Sequence, residues 1–413
     1  MMKRNLLITA FLLAAFALPA GAQDNLNFSG YLRNYTGVLT RQDNAFSILQ
    51  NTFDFQVETR GSRMALKVNP YLYHYFDRDL ELGIREAYLD LYFEHFDLRV
   101  GKQQIIYGKA EGVFITDVVS PKDLREFLLP EFDEIRMGVT AARLNFYRGN
   151  STFEMVWVPV FTPTILPEEG SIWRPQMLFP VEPDFDMSTA RVNPELGNSE
   201  VFLRYSAMTP GIDFEFVGGT FFDDDPVMHM TRHVDPETMQ LTGLTVRPQH
   251  HRLLMGGGSF STQLGPFLLR GEAGYSHGKY FQTSSQPPSD GTIEKNLLHY
   301  MLGLDYTLVG VRVTAQFIQE YIPDYTEGIL NEESENMMTF LARKDFLREK
   351  LWLEVFTYVG INRGDALIRP KVSYSFADGF DIQLGANVFT GTEGRFGQFN
   401  ENDMLYLKMK YSF

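Results

Sequence analysis

The chain has no cysteine in its 413 residues. Disulfides, thiolate metal sites, a cysteine nucleophile and a lipidated cysteine are therefore excluded. Beyond residue 22 it also lacks any apolar run approaching the roughly 20 residues that a membrane helix needs, which excludes a helical membrane protein. No Gly-x-Ser-x-Gly elbow, His-Glu-x-x-His pair or phosphate loop is present, so no catalytic residue is nominated and no enzyme is expected. Basic residues are outnumbered 37 to 52, giving a net charge of -15, so a nucleic-acid role has no support.

What is present begins with an export signal. Lys3 and Arg4 precede an apolar stretch from Leu6 to Leu18, and Ala20-Gly21-Ala22 reads as a small-x-small cleavage site. Residues 1–22 are thus expected to be a signal peptide and residues 23–413 a single domain. The hydrophobic fraction of 44% and mean hydropathy of -0.18 match a soluble protein. They equally match a membrane barrel, in which lipid-facing and lumen-facing residues alternate and the average cancels. An aromatic fraction of 14% suits the girdles of such a barrel.

The period throughout is two. Met64, Leu66, Val68 and Leu72 alternate with Arg63, Lys67, Asn69 and Tyr71. Phe380, Ile382, Leu384, Ala386 and Val388 alternate with Asp381, Gln383 and Asn387. Tight turns are expected near Gly61, His95, Gly149, Gly211, Gly265, Gly310, Arg348-Glu349 and Gly379. Long connections are expected at 37–46, 105–135, 164–198, 223–249, 282–292, 323–336 and 391–402, with shorter ones at 76–79 and 361–364. The pattern predicts an all-β, antiparallel up-and-down transmembrane barrel of about 18 strands (16–20), with long loops at one rim and short turns at the other. Broken alternation at Arg85-Glu86 predicts a bulge.

Charge is distributed unevenly. Loops 105–135, 164–198, 223–249 and 323–336 carry net charges of -4, -4, -3 and -5, so the remaining chain is close to neutral. Such loops are either simply solvated or able to hold divalent cations against lipopolysaccharide. Inward positions of the first and last three strands include Arg33, Arg60, Arg63, Lys67, Arg369, Lys371, Lys408 and Lys410. Asp54, Glu58 and Asp381 oppose them, leaving a basic wall. Such cations would cost roughly 2–4 kcal/mol each on a lipid face near the midplane, so they are expected to face the lumen. The far wall reads as acidic, with Asp90 and Glu94 inward and Asp97 beside Arg99.

Loop 105–135 has its own grammar. Ser120-Pro121-Lys122-Asp123 reads as a helix start, Leu124, Phe127 and Leu128 form an apolar face, and Pro130 ends it. Were the loop to fold inward, as loops of porins do, Lys122, Asp123, Arg125 and Glu126 would present charge at a constriction opposite the basic wall. The alternative is a surface helix on top of the barrel. His229 and His233, spaced i, i+4, would share a helical face. Pro226 and Pro236 flank them and no thiolate supports them, so no metal is expected.

Two resemblances add to this reading. The closing strand, with Tyr411 and a final Phe413, resembles the C-terminal signature of bacterial outer-membrane proteins that the barrel assembly machinery recognises. Val100-Gly101-Lys102-Gln103-Gln104, Gly108, Asp117, Pro121, Asp123-Leu124-Arg125 and Leu128-Leu129-Pro130 resemble a family of uncharacterised, porin-like Gram-negative outer-membrane proteins. That resemblance implies a channel and names no substrate. The resulting expectation is an outer-membrane porin-like channel for passive diffusion of small polar solutes, anionic ones among them. It needs no cofactor, is exported through the periplasm, and touches lipid and lipopolysaccharide, with self-association left open. The alternative is a non-conducting surface receptor or a structural or export-conduit barrel, with a hydrolase behind both.

Overall fold

A computed structural model describes residues 26–175, 179–284 and 290–413. The predicted signal peptide and cleavage site lie outside the described residues. The strands are β1 (Leu26–Leu39), β2 (Phe46–Arg60), β3 (Met64–Tyr75), β4 (Glu81–Tyr92), β5 (Phe96–Gln103), β6 (Val139–Arg148), β7 (Ser151–Val158), β8 (Pro183–Phe185), β9 (Glu200–Thr209), β10 (Ile212–Phe222) and β11 (Val227–Val234). They continue with β12 (Leu241–Gln249), β13 (Arg252–Leu264), β14 (Phe267–Gln282), β15 (Thr292–Leu308), β16 (Val311–Tyr321), β17 (Ser334–Phe346), β18 (Leu351–Gly360), β19 (Asp365–Ala377), β20 (Phe380–Thr390) and β21 (Met404–Ser412).

Eighteen of these form one antiparallel sheet that closes on itself, because β1 pairs with both β2 and β21. Closure removes the open sheet edges that lipid cannot satisfy. All eight predicted tight turns fall between paired strands, and the strands that the nine predicted connections join end at the opposite rim. The two-residue turns use left-handed backbone. Val309 and Gly310 have φ of 49° and 73°, the pattern of a type I′ turn whose twist suits a hairpin.

Period-two alternation sends large apolar side chains outward. Phe28, Leu32, Phe53, Phe216, Leu302 and Leu405 are all exposed on the outer face. Inward positions such as Tyr35, Gln50, Asp54, Glu215 and Lys408 are buried by material inside the barrel. No described helix is long and apolar enough to cross a membrane. The predicted bulge is present: the β3–β4 register shifts between Asn69 and Pro70, so Arg85 is the extra residue between Ile84 and Glu86. Pro70 has no N–H to donate there. Arg85 turns inward and donates to Asp54 (3.3 Å) and the Tyr73 hydroxyl (3.0 Å).

Two features depart from the sequence reading. The stretch 223–249 is not one long loop but contains the β11–β12 hairpin. With β8 running parallel to β12, the hairpin forms a separate three-stranded sheet at the long-loop rim. The loop after β5 does carry a short helix, but at Phe132–Ile135, beyond Pro130, rather than from Ser120. The Ser120 hydroxyl is used elsewhere, accepting from Ile105 N–H (2.9 Å) and donating to Ile105 carbonyl (3.1 Å). Phe127 has a φ of 54°, which no right-handed helix contains. Arg369 captures the Leu128 and Leu129 carbonyls (2.9 and 2.7 Å) that a continuing helix would need.

Candidate pore constriction

Residues 104–138 run into the barrel rather than over it, as their partners on opposite walls show. On the far wall, Glu272 of β14 accepts from Lys109 N–H (2.5 Å), Ala110 N–H (2.8 Å), Thr116 N–H (2.8 Å) and the Thr116 hydroxyl (2.8 Å). Glu215 of β10 accepts from Gly108 N–H (2.7 Å), and Glu154 of β7 from the Tyr107 hydroxyl (2.7 Å). On the near wall, Glu134 accepts from Arg33 (2.7 Å), and Glu131 stands 3.6 Å from Lys408 and 3.9 Å from Lys371. The loop is therefore pinned at both sides of the lumen. Its first half lies against carboxylates and its second half offers carboxylates to cations.

Two apolar clusters fill the space around these tethers. Ile105, Tyr107 and Val119 pack on Val156, Phe202 and Val217 of the far wall. Val113, Ile115, Leu129 and Trp173 pack with Tyr358, Phe389, Phe396 and Met404. The burial places tertiary packing, not local propensity, in charge of the loop's path.

The predicted basic wall is only partly one site. Arg33, Arg369, Lys371 and Lys408 converge on Glu131, Glu134 and the Leu128–Leu129 carbonyls. Lys410 neighbours them, its ammonium 4.5 Å over the Tyr31 ring. Lys67 instead pairs with Glu86 at 3.0 Å, and Arg60 and Arg63 are exposed at the short-turn rim. Burial pushes the Glu131 carboxyl up, but Lys408, Lys371, Arg369 and Arg33 together outweigh it and hold it at about 2.

The four predicted constriction residues are not free charges facing a basic wall across the lumen. Lys122 pairs with Asp224 (3.3 Å), Arg125 with Asp123 and Glu81 (2.5 and 2.8 Å), and Glu126 with Arg78 (2.9 Å). The reason is electrostatic: in a confined space each charge finds a partner before it is buried. Burial, together with the neighbouring Asp225 and Asp223, raises the Asp224 carboxyl to about 7 against the pull of Lys122. Asp123, Arg125, Glu126 and Glu134 meet Arg33 and Gln50 around a small cavity between the loop and β1–β3, which Tyr35, Ile48, Tyr73 and Tyr75 also line.

The acidic far wall is real but differently composed. Asp90 is bound by Arg99 at 2.7 and 2.9 Å, and Glu94 is exposed in a turn. The working carboxylates are Glu154 and Glu215, bridged by Arg204 with Arg143 also on Glu154, and Glu272, which is given over to the loop. Part of their signal was in the sequence: Glu154 is the single charged residue of its strand, whereas Glu215 shares a face with Asp213 and Glu272 with Arg270.

His229 and His233 lie on a strand, where four residues span roughly 13 Å. His229 contacts Asp290 (2.6 Å) and His251 (2.8 Å), and His233 contacts Thr245 (2.9 Å). Among the described residues no group of three or more His, Asp or Glu gathers to hold a metal.

A closed 18-stranded barrel with an apolar exterior and an inward-folded loop defines the porin-like class of β-barrel proteins. The chain belongs to the family described as "Protein of unknown function (DUF1302)", whose model matches residues 34–343. No curated protein matches the sequence. Its fold is similar to the Pseudomonas aeruginosa barrel OccK5 (OpdH), with a TM-score of 0.54 and 13% identity over 94% of this chain and 98% of that one. It is similar to P. aeruginosa OccK2 (OpdF) in complex with glucuronate (TM-score 0.55, 11% identity, 94% and 98% covered). It is also similar to Acinetobacter baumannii OccAB3 (TM-score 0.56, 10% identity, 94% and 99% covered). At these identities the likeness is one of fold.

Proposed function

We propose that this protein is an outer-membrane channel for passive diffusion of small polar solutes, with a preference for anions, working without cofactor or energy source. The observation that carries the reading is the loop 104–138, folded into a closed barrel and tethered to both of its walls. A loop held this way narrows a lumen without demanding motion, and wall charges then bias which ions pass. Support for anions comes from Arg33, Lys408 and Lys410 lying on adjacent strands at that wall. The solved barrels of this fold include one in complex with glucuronate and one with vanillate, both carboxylates. Tyr411 and Phe413 sit on the lipid side of the closing strand, where the assembly machinery would read them.

Planar bilayers under a salt gradient test the reading. Discrete steps of small conductance with an anion-selective reversal potential are expected. Cation selectivity would overturn the preference for anions, and a silent barrel would overturn the channel. The second reading, a non-conducting receptor or structural barrel, draws on the two apolar clusters packed around the loop. Silence in the same assay would favour it.

A further inference from the structure

We propose that the outer face of β16–β21 holds one phospholipid with an anionic headgroup, near the rim of short turns. The proposal rests on the reading of this barrel as a membrane protein. A depression of about 610 Å³ opens on that face, with small Ala342, Pro370 and Ala386 in its lining among the longer Leu353, Leu384 and Leu405. All six belong to the outward set of their strands. The ladder is interrupted at the same place: β19 pairs with β20 at Ile368 and Lys371, while Arg369 and Pro370 between them do not pair. Proline supplies no N–H to a sheet, and a dent in the wall follows. An unfilled dent forfeits dispersion contacts along its lining, so an acyl chain held there gains contacts that a smooth wall does not offer.

The headgroup end is set by charge. Lys344 lines the same depression and lies outward on β17, opposite Val311 and Leu353. Among the described residues it pairs with no carboxylate, and its ammonium lies 5.5 Å over the Phe346 ring. A lysine facing lipid is costly at the midplane and nearly free at the interface. Lys344 sits two residues before the end of β17, and exposed Phe346, Tyr374 and Phe376 mark the headgroup level. The following turn adds exposed Arg348 and Lys350 against one acid, Glu349. Lys344, Arg348 and Lys350 outnumber Asp345, which pairs with Arg343, and Glu349 at the mouth of an apolar dent, and match a phosphodiester of net negative charge. A zwitterionic headgroup would bring its own cation against Lys344.

Native mass spectrometry of the full chain, from micelles doped equally with phosphatidylglycerol and phosphatidylcholine, tests this. One phosphatidylglycerol should stay bound under activation that strips phosphatidylcholine. Lys344→Glu should cut that selective retention at least tenfold. Ala386→Phe, which fills the dent and leaves the cation, should also lower it. Both variants should keep the wild-type bilayer current. Equal retention of the two lipids, unchanged retention in Lys344→Glu, or a dimer of the chain that Ala386→Phe abolishes would each overturn the proposal. A silent barrel that still selects phosphatidylglycerol would remove the channel reading and leave this one standing.

Discussion

Replacing Glu272 with alanine should release residues 109–116 from the far wall of the barrel. The carboxylate is 4% exposed and accepts four hydrogen bonds from the loop, three of them from backbone N–H groups. Hydrogen bonds to a charged group contribute roughly 1.5–3 kcal/mol each, so the gross interaction is about 6–12 kcal/mol. Much of that offsets the desolvation of the carboxylate, and removing one partner of a buried charged contact nets about 3–5 kcal/mol. A loss of ~4 kcal/mol shifts the docked-to-released ratio by on the order of a thousandfold. Glu272→Gln should do about half as much, since its amide keeps one accepting oxygen and turns a donor toward the other N–H pair. Two assays read the release. Trypsin should cleave after Lys109 in the alanine variant and not in the wild type, and single-channel current should rise and become noisy. If the Lys109 bond stays as resistant in Glu272→Ala as in the wild type, and the current is unchanged, the loop is held by its apolar clusters and the carboxylate is incidental.

Three further outcomes are expected. Arg369→Met strips the Leu128 and Leu129 carbonyls of their partner and should lower thermal stability by roughly 2–4 kcal/mol, read as a melting shift in detergent. Lys410→Glu should move the reversal potential toward cations with little change in melting, because Lys410 has a ring contact and no acid of the loop to hold. Asp224 has its folded carboxyl raised to about 7 from 3.8, so its contribution to stability is full below about 3.8 and declines as pH rises to about 7. Asp224→Asn should flatten melting temperature across that window. Glu131, held at about 2, contributes in the opposite sense, losing its share only as pH falls below about 4.5.

Most of the barrel was legible because alternation and turn chemistry are local. Gly265 or Gly310 between two alternating runs specifies a hairpin without reference to the rest of the chain, and the misfit at Arg85-Glu86 announces its bulge. The interior was less legible because it is written in pairs distant in sequence. Nothing near Ser120 reveals that its hydroxyl will close on Ile105, or that Arg369 will take the carbonyls of Leu128 and Leu129. Inward cations on the first and last strands were visible, whereas nothing local marks Glu131 and Glu134 as the loop acids that pair with Arg33, Lys371 and Lys408. The hairpin in 223–249 was hidden because its strands belong to no wall of the barrel.

The seam between β1 and β21 bears on the order in which the molecule comes together. Arg33 lies directly opposite Lys410, and Tyr35 opposite Lys408, so zipping these strands sets like charges side by side. Glu134 on Arg33 and Glu131 near Lys408 relieve that repulsion, and both belong to a segment that begins between the fifth and sixth strands. A barrel that zips before that segment enters must confine uncompensated cations. One that admits it first closes around pairs already made. The energetically easier course is interior first and seam last, so Glu131 and Glu134 bear on how the seam closes as much as on the shape of the lumen.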